Sequence, residues 1–207
     1  MKNKFKISIL FYLIILFIFS VFYLNLKHNV LNDSTISEWL INYYGGFTKR
    51  GIIGQISIFF SNLFNISLRD SILIFQILII AVYYLLSFSF LKNLKYDRII
   101  LLSIFTPIFL LYPVAEIEVL ARKEIFLFII FISYLMIPLK NKKLQTSFKF
   151  LCFPLSILIW EPIIFLFLFW IALDVIYDEI NFFDTKFLKK IVIYLPGVFI
   201  AFYIATN

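Results

Sequence analysis

The chain of 207 residues has one cysteine, one histidine, five glycines and six prolines. A single thiol, Cys152, makes neither an intrachain disulfide nor a thiolate metal cluster. A single imidazole, His28, holds no haem or zinc without carboxylate help. The sequence also lacks a Ser/His/Asp set, an HExxH helix, a Walker loop and any aspartate pair at DxD spacing for a metal–diphosphate complex. No metal and no cofactor is expected. Acids are scarce too, 12 Asp and Glu against 19 Lys and Arg, for a net charge of +7.

What the chain does have is apolar length. It is 63% hydrophobic with a mean hydropathy of +0.99, against roughly 45–50% in soluble domains. This predicts an all-α polytopic transmembrane helix bundle, a single transmembrane domain over residues 1–207. We read the 28 Phe as apolar filling from an AT-rich coding sequence, not as an aromatic ligand box. A span takes about 20 apolar residues, and six are expected: 7–26, 71–91, 99–114, 125–139, 150–173 with an interruption at Glu161-Pro162, and 191–205. Lys2, Lys4 and Lys6 precede the first, which is too long for a signal peptide and is followed by no small-residue cleavage site, so it reads as an uncleaved anchor. The chain stops almost with the last span, as a compact six-span protein would or as a piece of a longer one.

Charge sets the expected orientation. With the N-terminus in the cytoplasm, segments 1–6, 92–98 and 140–149 lie inside and carry ten of the 19 cations but one of the 12 acids, Asp97. The positive-inside rule accounts for that excess, so nucleic acid is not an expected partner and both termini are placed in the cytoplasm.

The outer loop 27–70 is longer than the 12–15 residues above which loops tend to be functional or structured. Ser34 reads as the cap of a helix with Ser37-Glu38 in its first turn. Gly51–Phe64 then reads as a helix too short to span, interfacial or re-entrant. Four of the five glycines, Gly45, Gly46, Gly51 and Gly54, surround Lys49-Arg50 at its start. A glycine turn with two cations before a helix is what a phosphate or diphosphate site needs. The alternative reading is a tight turn whose cations meet lipid phosphate generally.

Three further clusters carry charge. Glu116, Glu118, Arg122, Lys123 and Glu124 join the third and fourth spans, with Glu118 and Arg122 at i,i+4 pairing distance. The fourth span, 15 residues or about 22 Å, is short of a hydrocarbon core of about 30 Å and draws this hairpin inward. Glu161, inside a span and followed by Pro162, needs a partner at that depth, and Arg50, Arg122 and Lys123 are the candidates. Asp174, Asp178, Glu179 and Asp184, before Lys186, Lys189 and Lys190, read as a solvated outer loop.

The stretch Gly45 to Gly54, the run Arg122-Lys123-Glu124 and the pair Trp160-Glu161 resemble multispanning bacterial membrane proteins of surface-polysaccharide assembly. The wider class is the polyprenyl-linked (GT-C type) glycosyltransferases and polymerases. Trp160 stands where that pattern leads one to expect His. The resemblance implies the bacterial inner membrane, membrane lipids as surroundings, and transfer from a polyprenyl-phosphate-linked sugar at the outer face. Gly45, Gly46, Lys49, Arg50, Gly51 and Gly54, with Arg122 and Lys123, would hold the phosphate. A carboxylate among Asp33, Glu38, Glu116, Glu118 and Glu161 would serve catalysis. The competing expectation is a non-enzymatic transporter or flippase-like protein, or a subunit of a membrane complex, with Glu161 at the helix break as a proton-coupled group.

Overall fold

The computed structural model describes residues 2–30, 36–94, 98–104, 120–138, 140–178 and 185–206. Asp33, Ser34, Glu116, Glu118, Glu179 and Asp184 lie outside the described residues, and with them the Glu118–Arg122 pair and the Ser34 cap. Among the described residues the chain is helical, without strands: α1 (Lys2–Asn29), α2 (Ser37–Leu40), α3 (Gly51–Phe64), α4 (Leu68–Leu91), α5 (Arg98–Ile104), α6 (Ile125–Met136), α7 (Lys142–Ile159), α8 (Leu166–Asp178), α9 (Thr185–Val192) and α10 (Leu195–Thr206). A 3-10 turn, Glu161–Phe165, separates α7 from α8.

Two helices are long and apolar enough to cross a membrane, over Phe5–Asn29 and Leu68–Leu91. They run antiparallel, clasped where α1 ends and α4 begins. His28 Nε2 meets Asp70 Oδ1 at 2.9 Å, and Arg69 donates to the His28 carbonyl at 3.1 Å. The α4 start is set by Ser67, whose hydroxyl accepts the Asp70 N–H, which satisfies one of the donors a helix start leaves open. The helix α3 is bounded as its sequence foretells. It opens at Arg50 and closes at Asn65, both in the left-handed region (φ 63° and 52°). It then folds back along α4, where the Ser71 hydroxyl donates to the Ser57 carbonyl at 2.9 Å.

The stretch 150–173 is not one helix. Helix α7 stops at Ile159, Trp160 is extended (φ −156°, ψ 109°), and Pro162 has no N–H with which to continue the ladder. The chain turns back through the 3-10 turn, so α8 runs antiparallel to α7. Phe153 and Trp170 rings meet at 5.6 Å, and Lys149 Nζ lies 2.6 Å from Asp174 Oδ2. Residues placed by the sequence on opposite faces of a membrane are therefore in contact. Asp174 is 7% exposed, not part of a solvated loop.

The reversal also redirects the last segment of the chain. The predicted span 191–205 is broken at Ile193-Tyr194, and α10 has only 12 residues, about 18 Å. Gly197 lies against the Phe153 ring, and Tyr203 near the far end of α10 meets Phe47 at 5.4 Å. The helix α10 thus runs from the Lys149 end of the bundle to the Arg50 end, and the start of α1 and the end of α10 lie at opposite ends. Lys190 of α9 reaches Asp174 beside Lys149, so α9 brings its basic last turn to the Lys149 end.

Candidate functional site

At the Arg50 end, four segments distant in sequence bring charged side chains together. Helix α2 supplies Glu38, the turn before α3 supplies Arg50, the turn before α6 supplies Arg122, Lys123 and Glu124, and the tip of the α7/α8 hairpin supplies Glu161. Arg50 Nε donates to Glu161 Oε2 at 2.6 Å, and its Nη1 lies 3.7 Å from Glu38 Oε1. Arg122 Nη2 reaches the same Glu38 oxygen at 3.0 Å and Glu124 Oε1 at 3.4 Å. Lys123, fully buried, donates from Nζ to the Arg50 carbonyl at 2.7 Å.

The scaffold beneath is built by close packing. Trp39, next to Glu38, is fully buried, and its indole N–H donates to the Ala121 carbonyl at 3.0 Å. Ala121 has φ 59°, and Arg50 has φ 63°. The left-handed region costs a non-glycine residue roughly 1–2 kcal/mol, and such positions gather at functional sites. Here each carbonyl is held by a donor from another segment, Trp39 on Ala121 and Lys123 on Arg50. A Cβ on Gly54 would overlap the Ile41 carbonyl oxygen, so glycine is needed where α3 crosses the 39–41 segment.

The glycines and cations divide their roles. Gly51 lies under the Tyr43 ring, and the Ile52 N–H donates to the Tyr43 oxygen, so that side chain covers part of the α3 start. Burial pushes the Tyr43 phenol up, against that hydrogen bond. Gly45 and Gly46 form an exposed turn, with Gly46 at φ 115°. Lys49 is exposed and takes no part in the network. Arg50, one of the three cations named as partners for Glu161, reaches it.

The six charges balance, three cations with three carboxylates. Burial pulls the Lys123 ammonium down to about 8; Glu38 opposes the shift, Arg50 adds to it, and Glu161 opposes it. Two carboxylate oxygens, Glu38 Oε2 and Glu124 Oε2, are buried without a hydrogen-bond partner among the described residues. A buried acceptor left unpaired costs about 1–3 kcal/mol or more, so each oxygen calls for a donor; both are closed to solvent, and a donor from outside the chain reaches them only when the network opens. The Trp39–Ala121 bond and the strained carbonyls escaped sequence reading, because they join residues far apart in the chain; the Arg122–Glu124 contact escaped it although the two lie two positions apart. Among the described residues no three His, Cys, Asp or Glu side chains gather as metal ligands.

Comparison of the chain with protein families, with curated proteins and with solved structures finds no match.

Proposed function

We propose that the chain is a multi-pass membrane protein of the bacterial inner membrane, with the Lys149 end in the cytoplasm, and that it transfers a sugar from a polyprenyl-phosphate carrier at the outward Arg50 end. The observation that carries this reading is Glu38. One of its oxygens is held by two guanidinium groups while the other, Oε2, has no partner among the described residues. A general base needs a free oxygen within hydrogen-bond reach of the proton it takes, and a departing phosphate needs cations fixed in advance.

In the reaction the acceptor hydroxyl gives its proton to Glu38 Oε2, and its oxygen bonds to the anomeric carbon. The bond from that carbon to the carrier phosphate breaks, and the phosphate leaves with the electron pair. Arg50 and Arg122 receive the phosphate charge by exchanging a glutamate partner for it. Glu161 holds Arg50 ready until then, and Lys123 fixes the turn from which Arg50 projects. Asp33, Glu116 and Glu118 remain outside this assignment.

A second reading, a flippase-like element or a subunit of a membrane complex, draws on the charge balance, since every cation of the network already faces an acceptor within the chain. Two measurements separate them. Cells lacking the protein should accumulate polyprenyl-linked sugar, and neither Glu38→Gln nor Arg50→Gly should relieve it; glycine suits the left-handed turn, so the second change removes the charge without strain. In vesicles the purified protein should release free polyprenyl phosphate from the carrier. Translocation with the sugar–phosphate bond intact would replace the transferase reading with the second one.

A further inference from the structure

The depth of the charged network follows from the register of α3 on α4. The two helices run antiparallel, and the Ser71 hydroxyl donates to the Ser57 carbonyl. From Ser57 back to Arg50 is seven residues, about 10 Å of helix. The same distance from Ser71 along α4 reaches Leu78. The start of α6 lies at this level too, because Ile79 and Phe126 pack against one cluster, that of Ile36, Trp39, Ile53 and Ile72. Polar groups mark both ends of α4, the His28–Asp70 contact at its start and the exposed Lys92 beyond its end. Leu78 is eight residues, about 12 Å, from Asp70 and fourteen residues, about 21 Å, from Lys92. A hydrocarbon core is about 30 Å thick. With α1 and α4 set across a bilayer, the Arg50 network therefore lies near its middle, at the inner end of a re-entrant segment.

At that depth the exposed charges have to face water. The side chains of Glu38, Arg50, Arg122 and Glu161 are 18% to 34% exposed, and Lys49 beside them is exposed. A charge turned to hydrocarbon is costly, so ionisable groups at membrane depth face the bundle interior or a water-filled cavity. Irregular backbone at that depth is tolerated only where protein buries it or water lines it, and the turn 42–50 is irregular, with Tyr44 to Lys49 exposed. Hydrocarbon has a face of its own on α4, where Ile74, Leu78, Val82 and Leu85 are exposed at helical spacing. The Lys149 side offers no such path, because Phe153, Ile163, Trp170 and Tyr194 fill it, fully buried.

We propose that a water-filled inlet, open to the outer face, reaches down to the Arg50 network at the middle of the bilayer, and that the hydroxyl-bearing acceptor enters through it as a hydrophilic solute. The turn 42–50 forms part of the inlet wall, with Lys49 in its water. The inlet rests on the placing of α1 and α4 across the membrane with the Arg50 end outward, and it deepens the transferase reading by assigning the acceptor to the aqueous phase and not to the lipid.

The test reads water and depth with no sugar donor present, so its result stands apart from that of a transfer assay. In a Cys152→Ser background, single cysteines are introduced by Lys49→Cys, Gly45→Cys, Asn62→Cys and Leu78→Cys. Lys49 and Gly45 belong to the exposed turn, and a side chain at Gly45 meets no atom within 4 Å. Asn62, exposed near the outer end of α3, is the aqueous reference, and Leu78 the lipid-facing one. Spheroplasts are treated with a membrane-impermeant methanethiosulfonate. Lys49→Cys and Gly45→Cys should react within about tenfold of Asn62→Cys, and Leu78→Cys about a hundredfold more slowly or less, because hydrocarbon excludes both the reagent and the thiolate it needs. In nanodiscs, a bimane on Leu78→Cys should be quenched more by nitroxides deep in the acyl chains than by nitroxides at the headgroup. Stronger quenching at the headgroup overturns the depth, and with it the membrane placement on which the inlet stands. A deep Leu78, with Lys49→Cys and Gly45→Cys both as slow as Leu78→Cys or reactive only in inverted vesicles, overturns the inlet alone.

Discussion

The α7/α8 hairpin carries an ion pair at each end, and the two are built differently. At the closed tip, Glu161 meets Arg50 from a segment 111 positions away, with side chains 24% and 30% exposed. At the open end, Lys149 meets Asp174 on the neighbouring leg, with side chains 4% and 9% exposed. A half-exposed pair is worth little to stability, because water competes for both charges. A sealed pair is costly to break, because the survivor stays buried without its partner. The tip pair can therefore exchange partners at small cost, as a ligand-handling group must. The open-end pair fixes the antiparallel packing that presents the tip.

The largest expected effect comes from removing one member of the sealed pair. Lys149→Met should cost about 3 kcal/mol or more in unfolding by denaturant in detergent, moderated by Lys190. Adding Asp174→Leu should recover most of that loss, since apolar replacement of a whole buried pair is often neutral. Arg50→Gly should cost about 1 kcal/mol or less. Equal losses at the two ends would erase the distinction.

The next effect compares glycines at the two ends. A Cβ at Gly54 would strike the Ile41 carbonyl oxygen, a backbone atom, whereas one at Gly197 would strike the Phe153 ring and the tip of the Ile157 side chain. Backbone cannot rotate away and a ring can shift. Gly54→Ala should therefore cost more than Gly197→Ala, against an overpacking range of about 1–3 kcal/mol. Gly54→Ala should also reduce transfer activity, because the 39–41 segment carries Glu38 with it. Thermal unfolding of the two variants, with activity measured alongside, checks the order.

The sequence announces some of this and hides the rest for physical reasons. Helix Gly51–Phe64 is legible because glycine punctuates its start and its 14 residues are too few to span. A cation for Glu161 is legible because an acid in an apolar run must find one. The reversal at 160–165 is not legible, since 150–173 is apolar on both sides of Glu161-Pro162. Glu161-Pro162 marks a kink in one long helix as well as it marks a turn between two. The Glu38–Arg122 pair joins residues 84 positions apart, and no local pattern reports a pairing of that kind.

A smaller effect on stability, with a larger one on function, is expected at the tip itself. Glu161→Gln keeps the shape and one acceptor oxygen for Arg50 but loses the charge. It should shift unfolding by about 1 kcal/mol or less while lowering transfer, because Arg50 is no longer held toward the site. A variant that is stable and fully active would reduce Glu161 to a structural hydrogen-bond acceptor and remove the functional half of the comparison.

The last effect is a slope with pH, and it belongs to Lys123. Burial holds its ammonium down to about 8, below the ordinary 10.5. Between those values the unfolded chain binds the proton and the folded chain releases it. By linkage, stability then rises with pH across that window and is flat with respect to this group below 8, where both states are charged. One proton contributes at most about 1.4 kcal/mol per pH unit. Lys123→Met takes the titrating group away and should flatten the slope between pH 8 and 10.5, measured as the difference from wild type in denaturant unfolding. The same variant leaves the Arg50 carbonyl, in its left-handed turn, without the donor it has at 2.7 Å. It should therefore also lower transfer at neutral pH, where the slope itself is silent. A slope unchanged by Lys123→Met would mean that the ammonium is not held down by burial, and that the tip network is more open to water than its packing indicates.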